Sequence, residues 1–250
     1  MDSTSNIQVT EHGATAYLTL DRPATRNALT HQLMCELDEI CRDLRQRTDL
    51  TTVVLSGNGP AFCAGADLNE NLFFSPDIPA DERADVGNFG GEVIQFWERL
   101  PQITIVAVEG FVVGGGLTLA LSSDFRVFAR NAFIYVPEID LGSNYGWNTV
   151  PRLVAYAGPA RTKRIVLLAE KIYAEQAETW GLVDFVVSEG KALARATELA
   201  DSFAHKPRLA VRTSKRAINA VSNALVDVAS HGDMVQSLAC VASFNERPGE

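Results

Sequence analysis

The chain has 250 residues, 46% hydrophobic and 21% charged, which fits a folded globular protein and excludes a disordered or fibrous one. Its 22 Lys and Arg against 31 Asp and Glu leave a net charge of −9, which excludes gripping nucleic acid through bulk positive charge. No run approaches the ~18 apolar residues of a membrane span, and the N-terminal MDSTSNIQVTEHG lacks an apolar leader core, so a cytoplasmic protein with no membrane partner is expected.

In chain order, Ile7 to Thr10 and Thr15 to Leu20 are predicted as short strands, followed by the turn Asp21-Arg22-Pro23. Leu29, Leu33, Leu37, Ile40 and Leu44 then recur at helical spacing, the apolar stripe of an amphipathic helix. Val53-Val54-Leu55 reads as a buried strand closed by Gly57-Asn58-Gly59-Pro60. Residues 69–90 mix acids, aromatics and two prolines, and read as a mobile loop before a helix around Val93 to Leu100. Ile103 to Val108 is a β-branched strand, Gly114-Gly115-Gly116 opens an apolar helix over Leu117 to Ser122, and Asp124 to Phe128 is the next strand. Such alternation predicts an α/β core with crossover connections. From about residue 158 the pattern is wholly helical, through Arg161 to Ala169, Ala174 to Trp180, Lys191 to His205, Arg208 to Val221 and Ala224 to Phe244. The expected organisation is a core over residues 1–190 and a helical C-terminal region over residues 191–250.

Cys35, Cys41, Cys63 and Cys240 form no C-x-x-C pair and have no histidine at zinc-finger spacing, so reduced thiols are expected rather than a structural metal. His12, His31, His205 and His231 show no metal spacing and read as surface residues. The nucleophile elbow, the phosphate-binding P-loop and the dinucleotide fingerprint are all absent from the sequence.

Two glycine-bearing turns stand out. One is Phe62-Cys63-Ala64-Gly65-Ala66-Asp67-Leu68, the other Phe111-Val112-Val113-Gly114-Gly115-Gly116-Leu117. Successive glycines let backbone approach a ligand closely, and a helix start offers unpaired N–H groups to a developing oxyanion. Tight strand–helix packing is the other use of such glycines. Glu138 sits in Val136-Pro137-Glu138-Ile139-Asp140-Leu141-Gly142 among apolar neighbours, where a raised pKa would suit proton transfer. A surface acid is the alternative.

In this order and spacing the pieces resemble the crotonase (enoyl-CoA hydratase/isomerase) superfamily, over nearly the whole chain. Leu20-Asp21-Arg22-Pro23 with Arg26-Asn27-Ala28-Leu29, Ala64-Gly65-Ala66-Asp67-Leu68, Gly114-Gly115-Gly116, Ser123-Asp124-Phe125-Arg126 and Trp180-Gly181-Leu182-Val183 match its motifs in register. The resemblance implies a superhelix of ββα turns around two nearly perpendicular sheets, with a helical tail that assembles a homotrimer or a dimer of trimers. It implies an acyl-CoA substrate, with CoA entering as part of the thioester and no separate cofactor. The N–H groups of Ala66 and Gly115 would hold the thioester oxygen as it gains enolate charge. Ala64 to Leu68 would line the adenine end of CoA, and Arg22, Arg26 and Lys215 would meet its phosphates. Asp67 also reads as a residue that shapes its loop by bonding nearby amides.

Hydratases of this family carry two catalytic glutamates. Here the first position is Thr118, and the second, Glu138, is retained. A threonine hydroxyl can orient water or a substrate group but is no general base near neutral pH. A single acid suits one proton shuttle, as in the family's enoyl-CoA isomerases, hydroxycinnamoyl-CoA hydratase-lyases and carboxymethylproline synthases. Hydration, isomerisation and lyase or decarboxylase chemistry all stay open. Tyr145 stands near a tyrosine of methylmalonyl-CoA decarboxylase-like members, so it would bind a polar substrate end or donate a proton, or else wall the acyl pocket with Trp147. Phe73, Phe74 and Trp97 read as pocket wall or core. Asp140 shares an extended face with Glu138 and is a candidate second carboxylate. A silent acyl-CoA-binding subunit is the reading from another class.

Overall fold

The first hairpin follows from its residues: β1 (Ile7–His12) and β2 (Thr15–Leu20) pair antiparallel across Gly13, whose φ of +59° suits a residue without Cβ. The computed structural model describes residues 5–69, 75, 77–230 and 232–245, with the side chains of Asp227 and Asn245 excepted. Phe73, Phe74 and His231 lie outside the described residues. Helix α1 (His31–Gln46) starts where Thr30 accepts a bond from the Leu33 N–H, and it buries Leu33, Leu37, Cys41 and Leu44. There follow β3 (Thr52–Gly57), α2 (Ala80–Glu98), β4 (Ile103–Val108), β5 (Phe111–Val113) and α3 (Gly115–Leu121). Next come β6 (Phe125–Ala129), β7 (Phe133–Tyr135), α4 (Thr149–Leu167), β8 (Ile172–Tyr173), α5 (Ala174–Thr179) and β9 (Phe185–Val187). The chain closes with α6 (Ala192–Phe203), α7 (Arg208–Ser222), α8 (Val226–Ala229) and α9 (Asp233–Asn245).

Two sheets result among the described residues. The larger has the order β1-β2-β3-β4-β6-β9 and is parallel beyond the first hairpin. The smaller has the order β5-β7-β8. The main core, including Leu18, Leu37, Val106 and Phe128, fills one side of the large sheet. On its other side Ile103, Ile105 and Val127 meet Ala192, Ala196 and Ala200 of α6, small residues that let helix and sheet approach closely. Of the region after residue 190, α6 thus packs on the sheet, α9 packs on α2, and α7 buries little beyond Lys215.

Three expectations need correction. Residues 80–90 are helix rather than loop: Asp81 and Glu82 favour the positive end of the helix dipole, and Gly87, Gly90 and Gly91 are buried. Gly90 and Gly91 pack against Trp147, so these glycines serve close packing rather than breaking the helix. The stretch after residue 158 is not wholly helical, since β8 and β9 interrupt it with strands too short to show a period. The last predicted helix is divided into α8 and α9. Among the described residues no helix is long and apolar enough to cross a membrane.

Candidate active site

Short-range backbone pairing brings the two glycine turns together. The Val113 N–H donates to the Cys63 carbonyl at 3.0 Å and the Cys63 N–H to the Phe111 carbonyl at 3.3 Å, which lays residues 63–66 beside residues 111–115. Gly65 makes this approach feasible: its φ is +85°, and a Cβ there would stand 3.0 Å from the Val113 oxygen. On the other side the Leu29 N–H donates to Gly65 and the Asp67 N–H to Leu29, so the intervening Ala66 N–H turns away from Leu29. Gly115 opens α3, so its N–H has no acceptor within the helix. Ala66 and Gly115 line one cavity. Asn27, buried in the left-handed region with φ +57°, staples the entry to this arrangement. Its Nδ2 donates to the Asn58 and Ala61 carbonyls at 2.9 Å, and its Oδ1 accepts from the Arg22 N–H at 2.9 Å.

Glu138 enters the same cavity from the loop after β7. Its Oε1 lies against the Cα of Gly114, and its Oε2 is buried with no hydrogen-bond partner. Gly114 has φ +46° and ψ −121°, a conformation open to glycine. Burial lifts the Glu138 pKa from the ordinary 4.5 to about 7, opposed by its own backbone N–H. A carboxyl with one oxygen unpartnered, poised near neutral pH, can both take up and release a proton.

Thr118 and Tyr145 also line the cavity, joined by a ladder of hydroxyls. Tyr145 donates to the Gly114 carbonyl at 2.8 Å and Thr149 donates to the Gly146 carbonyl at 2.7 Å. A 2.7 Å contact between the Thr118 and Thr149 hydroxyls continues the ladder. Thr118 is fully buried and its hydroxyl donates to the Tyr145 oxygen at 3.4 Å. Burial and the nearby Glu138 push the Tyr145 phenol well above its ordinary pKa, so it stays neutral.

Arg22, Arg26, Ala64 and Leu68 sit on the same turns but do not line the cavity. Arg22 donates to Asp67 at 3.2 Å and to the Ala28 carbonyl at 2.5 Å. Asp67, a cavity residue, also accepts from the Asn69 N–H, as a loop-shaping acid does. Arg26 and Leu68 are exposed, and Ala64 is half-buried, its N–H bonded to the Arg26 carbonyl. Lys215 is a correction: it is buried, donates to Asp124 at 2.6 Å and to the Gln102 carbonyl at 2.7 Å, and does not reach the cavity. Its charge is neutralised in tying α7 to the N-terminal ends of β4 and β6. Asp140 is exposed in a turn and does not line the cavity, so it supplies no second carboxylate there. Trp97 is core, its indole donating to Ser123 at 2.9 Å.

Other walls were not legible in the sequence. Met34 and His31 come from α1, Phe89 from α2, and Met234 and Ser237 from α9. His31 meets Phe89 in a tilted ring contact, centroids 5.2 Å apart. Trp147 is the ceiling: it occupies the left-handed region with φ +54°, donates to the Gly87 carbonyl at 2.9 Å, and packs against Gly115. Periodicity on α1 marked the stripe facing the core, and nothing local distinguished the turn that faces the cavity. The four cysteines are free, and no cluster of three or more His, Cys, Asp or Glu that could hold a metal occurs among the described residues.

Known proteins resemble this chain in sequence and in fold. The enoyl-CoA hydratase/isomerase family model matches residues 10–239. A short-chain-enoyl-CoA hydratase of Clostridium acetobutylicum is 31% identical, over 90% of this chain and 85% of its own. A crotonyl-CoA hydratase of Syntrophomonas wolfei is also 31% identical, over 98% of this chain and 93% of its own. The crystal structure of an enoyl-CoA hydratase/isomerase from Mycobacterium paratuberculosis superposes with a TM-score of 0.87 at 26% identity, covering 96% of this chain and 95% of that one. The chain therefore belongs to the enoyl-CoA hydratase/isomerase family and is an acyl-CoA enzyme of that type.

Proposed function

We propose that this enzyme hydrates an α,β-unsaturated acyl-CoA thioester with Glu138 as its single proton carrier. The observation that carries the reading is the buried, unpartnered Oε2 of Glu138, lodged in one cavity with Ala66 and Gly115. In the forward step the carboxylate takes a proton from water, and the water oxygen bonds to Cβ. The π electrons move to the thioester oxygen, held by the Ala66 and Gly115 N–H groups. Collapse of the enolate then returns the Glu138 proton to Cα, so one carboxyl group closes the cycle. The chain's own groups carry every step, and CoA enters only as part of the substrate. Arg22 and Arg26, on the turns beside the cavity mouth, are the cations offered to its phosphates.

Isomerisation is the second reading, favoured by Thr118, whose hydroxyl, bonded to Tyr145 and Thr149, supplies no second base. Glu138 would then move one proton between Cα and Cγ of a 3-enoyl thioester through the same enolate. Recognition of a polar substrate end by Tyr145, as in a lyase or decarboxylase, has less support because its proton is given to Gly114. A silent binding subunit would leave the unpartnered Glu138 oxygen without use. Free thiols are compatible with work in the cytoplasm, and exposed apolar helices support a homotrimer or dimer of trimers.

The test is turnover of crotonyl-CoA and a 3-enoyl-CoA by wild type and Glu138→Gln, followed by mass and ultraviolet absorbance. A product heavier by one water marks hydration, and one of equal mass marks isomerisation. Glu138→Gln should lower turnover by about 10²–10⁴ while acyl-CoA binding changes little. Undiminished turnover in the variant would remove Glu138 from the mechanism.

A further inference from the structure

The Gly114 carbonyl and the Gly115 N–H are the two ends of one planar amide. Three donors converge on that carbonyl: the Leu117 N–H at 2.8 Å, the Thr118 N–H at 3.2 Å and the Tyr145 hydroxyl at 2.8 Å. The first two belong to the opening turn of α3. The third reaches in from the loop before α4, where the ring is only 4% exposed and packs in the main core. Phenylalanine would fill that space as well. The hydroxyl has therefore a purpose other than burial.

We propose that Tyr145 is a positioning residue that acts through the Gly114–Gly115 amide, aiming and polarising the Gly115 N–H toward the substrate's thioester oxygen. Donation to an amide oxygen draws electron density from nitrogen and strengthens the hydrogen bond its N–H can make, the cooperativity of a hydrogen-bond chain. It also fixes the plane of a peptide bounded by two glycines, the least restrained residues in the chain. The neighbouring groups leave the phenol proton to Gly114: Thr118 donates to the phenol oxygen at 3.4 Å rather than accepting from it, and burial and the Glu138 charge oppose phenolate formation. Oxyanion strength in this enzyme is thus set partly from behind the amide, by a hydroxyl engaged with its carbonyl.

The inference rests on Gly115 serving as an oxyanion donor, and one measurement separates the two. The infrared carbonyl band of [1-¹³C]butyryl-CoA, identified against the ¹²C ester, is recorded free and bound to wild type, to Tyr145→Phe, and to enzyme carrying 3-fluorotyrosine at 145. The wild type should shift the band to lower frequency, the Tyr145→Phe variant should lose part of that shift, and the more acidic fluorinated phenol should enlarge it. Turnover of Tyr145→Phe should fall roughly tenfold with KM within about twofold, the effect of one neutral hydrogen bond felt in the transition state. A wild-type shift left unchanged by both substitutions overturns the role of Tyr145 while preserving the oxyanion site. No bound ester or no shift in the wild type overturns the oxyanion reading itself. Should Tyr145→Phe fail to fold, the fluorinated enzyme decides alone: a larger shift supports the role of Tyr145, and an unchanged shift overturns it.

Discussion

Glu138 owes its chemistry to what surrounds it. Its segment folds back so that one carboxyl oxygen rests on Gly114 and the other has no partner, and that desolvation raises the pKa to about 7. The sign for stability is unfavourable. Between about pH 4.5 and about 7 the folded chain keeps a proton that the unfolded chain has already released, so stability contributed by the neutral acid is lost as pH rises through that window. The sign for catalysis is the opposite, because proton abstraction needs the carboxylate. The prediction is that kcat/KM for crotonyl-CoA climbs as pH passes about 7, where an unperturbed glutamate would already have levelled off. A pH–rate profile of the free-enzyme parameter checks it, and a limb near 4.5 would show that the site is wet. The burial expected of Glu138 from its apolar neighbours was legible in the sequence. The loss of the other acid was legible too, but the fate of its replacement, a threonine bonded to Tyr145 and Thr149, depended on residues 27 and 31 positions away.

At the scale of elements, the site is a junction of α2, α3 and the start of α4. Trp147 and Asn148, both in the left-handed region, precede α4 and turn the indole onto Gly90, Gly91 and Gly115. Strain of about 1–3 kcal/mol at each such residue persists only where surrounding contacts over-determine it. Those contacts are visible: the Asn148 N–H donates to Asp233, and Arg152 donates to the Asn148 carbonyl at 2.5 Å. Arg152 in turn makes a buried two-pronged bond to Glu98 at the end of α2, at 2.7 and 3.0 Å. Replacing Glu98 by Ala leaves the guanidinium buried and uncompensated, so the expected loss of stability is about 3–5 kcal/mol. Urea unfolding of the variant measures it, and a loss below about 1 kcal/mol would mean that water reaches Arg152 readily. Loss of acyl-CoA turnover should accompany it, since the same pair anchors the ceiling of the cavity. None of this was available to periodicity, which reads each helix alone.

At the scale of the whole molecule, α7 and α8 leave an apolar stripe uncovered: Leu209, Ile218, Val221, Leu225 and Val228 are each at least 65% exposed. The homotrimer or dimer of trimers proposed above would cover such a stripe. Sedimentation at micromolar concentration should therefore give a mass of three or six chains, and Ile218→Asp with Val221→Asp should reduce it to one. A wild-type monomer would reject the assembly. The sequence by itself determined the strands and helices with a clear period, the glycine turns, and the loss of one family carboxylate with retention of the other. Those features are local, set by side-chain alternation, backbone freedom and residue identity. Tertiary structure alone decided that residues 63–66 and 111–115 lie side by side, that Lys215 is consumed by Asp124, and that the Tyr145 hydroxyl meets the back of the Gly115 amide. Each is a contact between chemically ordinary groups far apart in the chain, and such contacts exist only once the sheets and helices have packed.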